Sequence, residues 1–179
     1  MRIFFVTLIS LLTFVNVFAG ANDKPMFSDD EHMPFDQRGP KKGYYGAADI
    51  GFVVDPGIVE SNLAINIVNG YRFDEHFAIG IGSGLRSYIE VVVATVPIFI
   101  EPKYDFINNT ISPFVAMGIG YSFEIIDGFD GAGFFFSPEV GASYTMNQQV
   151  TFTFGLGYEY QNLNGAGFDG ISLMIGIGL

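Results

Sequence analysis

The chain has 179 residues, room for one ordinary domain, and a formal charge of −11 with only 8 basic residues. Cysteine is absent, which excludes disulfides, thiolate metal sites and cysteine nucleophiles. The scattered Lys and Arg form no stripe of the kind that phosphate neutralisation needs, so a nucleic-acid partner is not expected.

The chain opens with Arg2, an apolar run "IFFVTLISLLTFV" (3–15) and small residues in "VFAGA" that suit cleavage after Ala19 or Ala21. This is the pattern of a secretory signal peptide, and the run is shorter than the roughly 20 apolar residues that span a bilayer as a helix. Residues 1–21 are therefore expected to be a signal peptide. Residues 22–42, "NDKPMFSDDEHMPFDQRGPKK", are rich in proline and charge and show no periodicity, and are expected to form a flexible periplasmic leader. His32 stands here beside Asp29, Asp30 and Glu31, where a solvated acidic run explains it better than a metal site.

From Gly43 to Leu179 the chain breaks into segments of about 10–14 residues with strict two-residue alternation, the period of a strand. Strands are expected near 43–54, 61–73, 76–88, 92–106, 111–124, 133–146, 150–161 and 170–179. Connections at 74–75, 107–110 and 147–149 are tight and rich in Asp, Asn and Gln. Those at 55–60, 89–91, 125–133 and 162–169 are longer. Short turns at one rim and longer loops at the other are what an up-and-down barrel requires.

The two faces differ sharply. "VTFTFGLGYEY" (150–160) shows it: Val150, Phe152, Phe154, Leu156, Tyr158 and Tyr160 alternate with Thr151, Thr153, Gly155, Gly157 and Glu159. Across all eight strands the apolar face carries no Asp, Glu, Lys, Arg or His. The other face takes Asp49, Arg72, Arg86, Glu101, Lys103, Asp105, Glu124, Glu139 and Glu159, together with most strand glycines. Glycine weakens a strand, but inside a narrow barrel it leaves room for long polar side chains from other strands. An eight-stranded barrel has an interior just wide enough to be filled that way. A charge facing lipid at midplane costs roughly 2–4 kcal/mol, so a charge-free face is expected to be the outside. Tyr71, Phe73, Phe77, Tyr104, Phe106, Tyr144 and Phe152 fall near the short-turn ends. Phe52, Tyr121, Phe123, Phe134, Phe136, Tyr158 and Tyr160 fall near the long-loop ends, completing two aromatic belts. The expected fold is all-β: a closed, antiparallel, up-and-down transmembrane β-barrel of eight strands.

The segments "GYRFDEHFAIGIGSGLRSY", "ISPFVAMGIGYSF", "FFSPEVGASYTMNQQVTFTFGLGYEY" and "GISLMIGIGL" resemble the small outer-membrane β-barrel proteins of the OmpA/OmpX type, and the porin-family outer-membrane β-barrel domain of Gram-negative bacteria. The resemblance covers about 43–179. It implies residence in the bacterial outer membrane, outer-membrane lipids as surroundings, the barrel-assembly machinery as a partner during biogenesis, and a monomer. The chain ends in Leu179, an apolar residue, where such barrels usually end in Phe.

The expected site is a polar network in the lumen made of Asp49, Arg72, Arg86, Glu101, Lys103, Glu139 and Glu159, in which Arg86 and Lys103 bridge acids across the barrel. Acids outnumber bases there, so not every carboxylate can find a cation. No catalytic, metal or cofactor residues are expected. Some barrels of this type act on lipid A through His and Ser at the outer rim, but His76 stands by a short turn and His32 in the leader. "DGFDGAG" (127–133) lacks the spacing of a calcium loop, "GIGSGL" (80–85) has no following helix to hold phosphate, and "NNT" (108–110) is a tight turn. The function expected is structural or surface-interacting, around a side-chain-filled lumen. A narrow porin-like channel for small solutes is the alternative, and a soluble lipocalin-like binder of an apolar ligand is the third reading.

Overall fold

The computed structural model describes residues 39–55, 61–88, 93–125, 130–146, 149–163 and 166–179. The expected signal peptide and almost all of the expected leader lie outside the described residues. Eight strands follow one another: β1 (Gly43–Val54), β2 (Ser61–Arg72), β3 (Phe77–Tyr88), β4 (Val93–Asp105), β5 (Ile111–Glu124), β6 (Asp130–Met146), β7 (Val150–Leu163) and β8 (Ala166–Gly178). Each pairs antiparallel with the next. β8 then pairs with β1 from Ala47↔Gly178 to Val54↔Ile171, which closes the sheet into a barrel. The seam is finished by reciprocal backbone bonds between Gly46 and Leu179 at 3.2 and 2.8 Å. Closure gives every described strand two neighbours and so leaves no free edge strand among the described residues to template aggregation.

The alternation fixes the faces. Ile81 and Val140 are 66 % and 56 % exposed, whereas Arg86 is 0 % and Glu159 3 % exposed. This is the reverse of a water-soluble protein. Asn69, a polar side chain on the outer face, accepts a hydrogen bond from Tyr44 Oη, so its amide oxygen is not left unpaired there. At the short-turn end Tyr71 meets Phe73, Phe73 meets Phe77 and Tyr104 meets Phe106, with ring centroids 5.3–5.9 Å apart. At the other end Tyr121 meets Phe123 at 5.4 Å and Phe134 meets Phe136 at 6.3 Å.

Two differences from the expected elements have physical causes. β6 starts at Asp130 rather than 133, because Phe123↔Gly131 and Glu124↔Asp130 continue the ladder past a bulge after Ser122↔Gly133. Gly133 sits in that bulge at φ +132°, a conformation that a side chain strains. β7 and β8 run on to Leu163↔Ala166, so the stretch expected as a loop at 162–169 is mostly hairpin. Asn164-Gly165, outside the described residues, is the only sequence between those two partners, and Asn-Gly is a strong two-residue hairpin signal. Prolines also stand within strands. Pairing lapses beside Pro97 on the β3 side, beside Pro102 on the β5 side and beside Pro138 on the β7 side, as expected where a residue brings no N–H to the ladder.

The β2–β3 turn is held by Asp74, whose Oδ1 accepts from the backbone N–H of His76 and of Phe77, each at 2.8 Å. Those bonds hold the Asp74 carboxyl below the usual carboxylate range. A depressed folded value means that the turn's contribution is present above the unfolded value of roughly 3.9 and is lost as pH falls through the folded one. Asp74→Ala is expected to flatten this acid limb of the stability curve. Unfolding midpoints measured between pH 7 and pH 2 check it, and an unchanged limb refutes it.

Candidate functional site: a layered lumen

The inward face is built from alternate residues of all eight strands, and cross-barrel contacts sort it into layers. At the short-turn end Arg72, the last residue of β2, reaches the last residue of β4. Its Nη1 lies 2.8 Å from Asp105 Oδ2, an ion pair without in-line hydrogen-bond geometry. Asp105 Oδ1 accepts from Ser143 Oγ at 3.2 Å, and the Asp105 carbonyl lies 2.8 Å from His76 Nδ1. His76 also stacks on Tyr104, so this histidine is a structural part of the rim.

Above this plug lies a chamber of about 30 Å³ whose walls include Asp49, Glu101, Glu139, Lys103 and Thr153. Tyr45 Oη donates to Glu101 Oε1 at 3.2 Å, and Thr153 Oγ1 donates to Asp49 Oδ1 at 3.2 Å. Two glycines make this crowding possible. A Cβ on Gly155 would run into the Glu139 carboxyl, and one on Gly176 into the Asp49 carboxyl. The expected role of the inward glycines is thus visible at named pairs. Lys103 departs from expectation. It is 5 % exposed, yet no carboxylate lies within ion-pair distance of it among the described residues. Its Nζ instead sits 4.2 Å from the centroid of the Phe114 ring and 5.9 Å from that of Tyr45. Ring quadrupoles attract a desolvated ammonium, so aromatic faces hold it where an acid bridge was expected.

An aromatic partition roofs the chamber. Phe99 and Phe135 meet with centroids 5.3 Å apart, and a Cβ on Gly82 would collide with the Phe99 ring. On the far side of the partition lies the strongest polar cluster. Arg86 Nε and Nη2 donate to Glu159 Oε1 and Oε2 at 2.7 and 2.8 Å, a bidentate pair. Nη1 donates to Asn66 Oδ1 at 2.8 Å, and the guanidinium lies 5.4 Å from the Phe135 centroid. A second chain runs beside it, with Tyr88 Oη donating to Gln161 Oε1 at 2.9 Å and Gln161 Nε2 donating to Thr95 Oγ1 at 2.7 Å.

Among the described residues the lumen therefore holds two one-to-one ion pairs, with a middle chamber between them that has three carboxylates and one lysine. Arg86 bridges an acid across the barrel, Lys103 does not, and Arg72 finds Asp105, which was read as inward but not as part of the network. Tyr45, Phe99, Phe114 and Phe135 were missed as lumen residues. Their alternation places them inward, but apolar neighbours on both sides, as in "FFF" (134–136) and "IFI" (98–100), hide the pattern. Among the described residues no group of three acidic, His or Cys side chains is arranged to hold a metal.

The barrel fold has parallels among solved structures. The chain aligns over 76 % of its length with 95 % of the crystal structure of Neisserial surface protein A (NspA), at a TM-score of 0.58 and 14 % identity. The fold is that of the small outer-membrane β-barrels. The same fold appears in the outer membrane protein OprG from Pseudomonas aeruginosa, over 80 % of this chain and 98 % of that one, at a TM-score of 0.51 and 14 % identity. It appears again in the N-terminal β-barrel domain of P. aeruginosa OprF, over 77 % and 98 %, at a TM-score of 0.50 and 14 % identity. No family model matches the sequence, and no curated protein matches it.

Proposed function

We propose that this chain is a monomeric, integral β-barrel of the bacterial outer membrane, inserted by the barrel-assembly machinery, with a structural or surface-interacting role and no catalytic one. The charge-free outer face supports the membrane setting, since a closed barrel is one of the two architectures that leave no backbone group unpaired in lipid. One observation carries the closed-lumen reading. The two cavities that the described residues enclose along the lumen are about 30 and 20 Å³, space for water molecules one or two at a time. A passage for solutes would need the Arg86–Glu159 pair and the Phe99–Phe135 partition to move together.

The narrow channel is the second reading, favoured by the surplus of acid in the middle chamber, which exceeds what two neutral plugs require. The lipocalin-like reading has the least support, because it needs an apolar interior and the ionisable side chains of the strands line the lumen. Planar-bilayer recording of the purified barrel in symmetric salt separates the first two. The closed reading predicts no sustained single-channel steps in the native protein. Regular steps with cation selectivity would establish the channel instead.

A further inference from the structure

The outer wall is not smooth. Between β3 and β7 it carries a trough of about 530 Å³, far larger than either lumen cavity, and the strand registers show how it is built. One bank is a row of outward side chains in register: Phe77, Tyr104, Val115, Val140 and Leu156. The other bank, two residues along each strand, is Pro102, Met117, Pro138 and Tyr158. Between the banks run Lys103, Ala116, Glu139 and Gly157, which belong to the inward face, so backbone floors the trough. The ladder lapses beside Pro102 and Pro138 fall along the second bank, which their compact rings keep low. No Asp, Glu, Lys, Arg or His side chain stands on either bank, and Tyr158 Oη is already committed to Asp169.

The dimensions match one occupant. From β3 to β7 the trough crosses four strand spacings of about 4.8 Å, roughly 19 Å in all. With strands tilted roughly 35–45° from the barrel axis, a line across them climbs roughly 11–14 Å along that axis. That is close to half of a hydrocarbon core of about 30 Å, the depth of one leaflet. The trough starts in the short-turn belt, where Phe77 opens β3 and Tyr104 is the last residue but one of β4. It reaches the mid-wall at Leu156, half-way along β7, with Tyr158 at its upper corner.

We propose that this trough seats one acyl chain of a phospholipid from the leaflet at the short-turn rim, the periplasmic one. The proposal rests on the reading that the charge-free face meets lipid. Lipid tails are as apolar as the wall, so close contact rather than exclusion of water selects the seat. A chain in the trough touches two banks and a floor, whereas a chain on an even stretch of wall touches a single layer of side chains. Dispersion contacts, each small, sum in favour of the trough. Phe77 and Tyr104 then stand at the level of the headgroup, where aromatic rings are favoured.

The test is native mass spectrometry of the folded barrel in a steroid detergent, which has no acyl chain to compete, titrated with palmitoyl-oleoyl phosphatidylethanolamine. Folding of every variant is checked by faster gel mobility before boiling. The expected result is a single saturable lipid adduct. Val115→Phe and Val140→Phe, which thicken one bank and fill the trough, should each weaken it about tenfold, the loss of roughly ten carbon contacts. Ile50→Phe, equally outward but on β1 across the barrel, should leave it unchanged. Four results overturn the proposal: no retained lipid, several adducts of equal affinity, an undiminished adduct in both folded bank variants, or a lipid-free dimer that Val140→Phe dissociates. The second means ordinary boundary lipid, and the last gives the trough to a second copy. Quenching of Phe154→Trp by brominated lipid in vesicles is read alongside. Where it persists, only the seat is lost; where it too is absent, the membrane-facing assignment falls with it.

Discussion

Arg86→Ala is expected to lower the stability of the barrel by about 3–5 kcal/mol, the cost of leaving a buried charge without its partner. Arg86 is wholly buried, and every nitrogen of its guanidinium has an acceptor: both Glu159 oxygens, Asn66 Oδ1, and the carbonyls of Ile65 and Leu85 at 3.3 Å. Truncation strands the Glu159 carboxylate beside the Phe99–Phe135 partition with no other cation within ion-pair distance among the described residues. Removing both charges is a different experiment. The double variant Arg86→Met, Glu159→Leu should recover most of the loss, because apolar replacement of a whole buried pair is often neutral or stabilising. Urea unfolding midpoints in lipid vesicles give both numbers. A single variant within about 0.5 kcal/mol of the native protein, the usual range for an inconsequential surface change, would show that the pair does not hold the lumen together.

Phe154→Arg is the second large effect, and it probes the opposite face. Phe154 is 53 % exposed in mid-β7, between Ala142 of β6 and Ile175 of β8. On a protein in water such a change would stay within about ±0.5 kcal/mol. In a bilayer it should cost roughly 2–4 kcal/mol, while Tyr160→Arg, towards the long-loop end of the same strand, should cost about 0–1 kcal/mol. The gradient along one strand is the signature. Equal and small effects at both positions would place this face in water.

Much of the architecture was legible because a barrel writes itself in local terms. Alternation gives each strand, short polar turns give the hairpins, and a face without charge gives the outside. Only the wall beyond the belts was misjudged. Gly and Asp in 125–133 and 162–169 suggested loops, although they supply the bulge at Gly133 and the Asn164-Gly165 hairpin signal. The charged residues of the lumen were legible one by one, but its aromatic residues were not, and neither were the pairs. Which side chains meet across the barrel depends on the stagger of strands far apart in sequence, as with Arg86 and Glu159, 73 residues apart. Lys103 shows the limit most clearly. Its inward position follows from parity, but its aromatic seat depends on Phe114 and Tyr45 arriving from two other strands.

Tryptophan is absent from the chain, so a single introduced indole reports without background. The most direct test of the inside-out assignment compares fluorescence quenching by lipids brominated in mid-chain for the Phe154→Trp and Phe135→Trp proteins, each reconstituted in vesicles. The account predicts strong quenching of Phe154→Trp and little of Phe135→Trp, whose ring would lie in the partition. Quenching of Phe135→Trp by bromolipid, with Phe154→Trp quenched only by aqueous iodide, would mean that the faces are inverted and that the lumen is the apolar side.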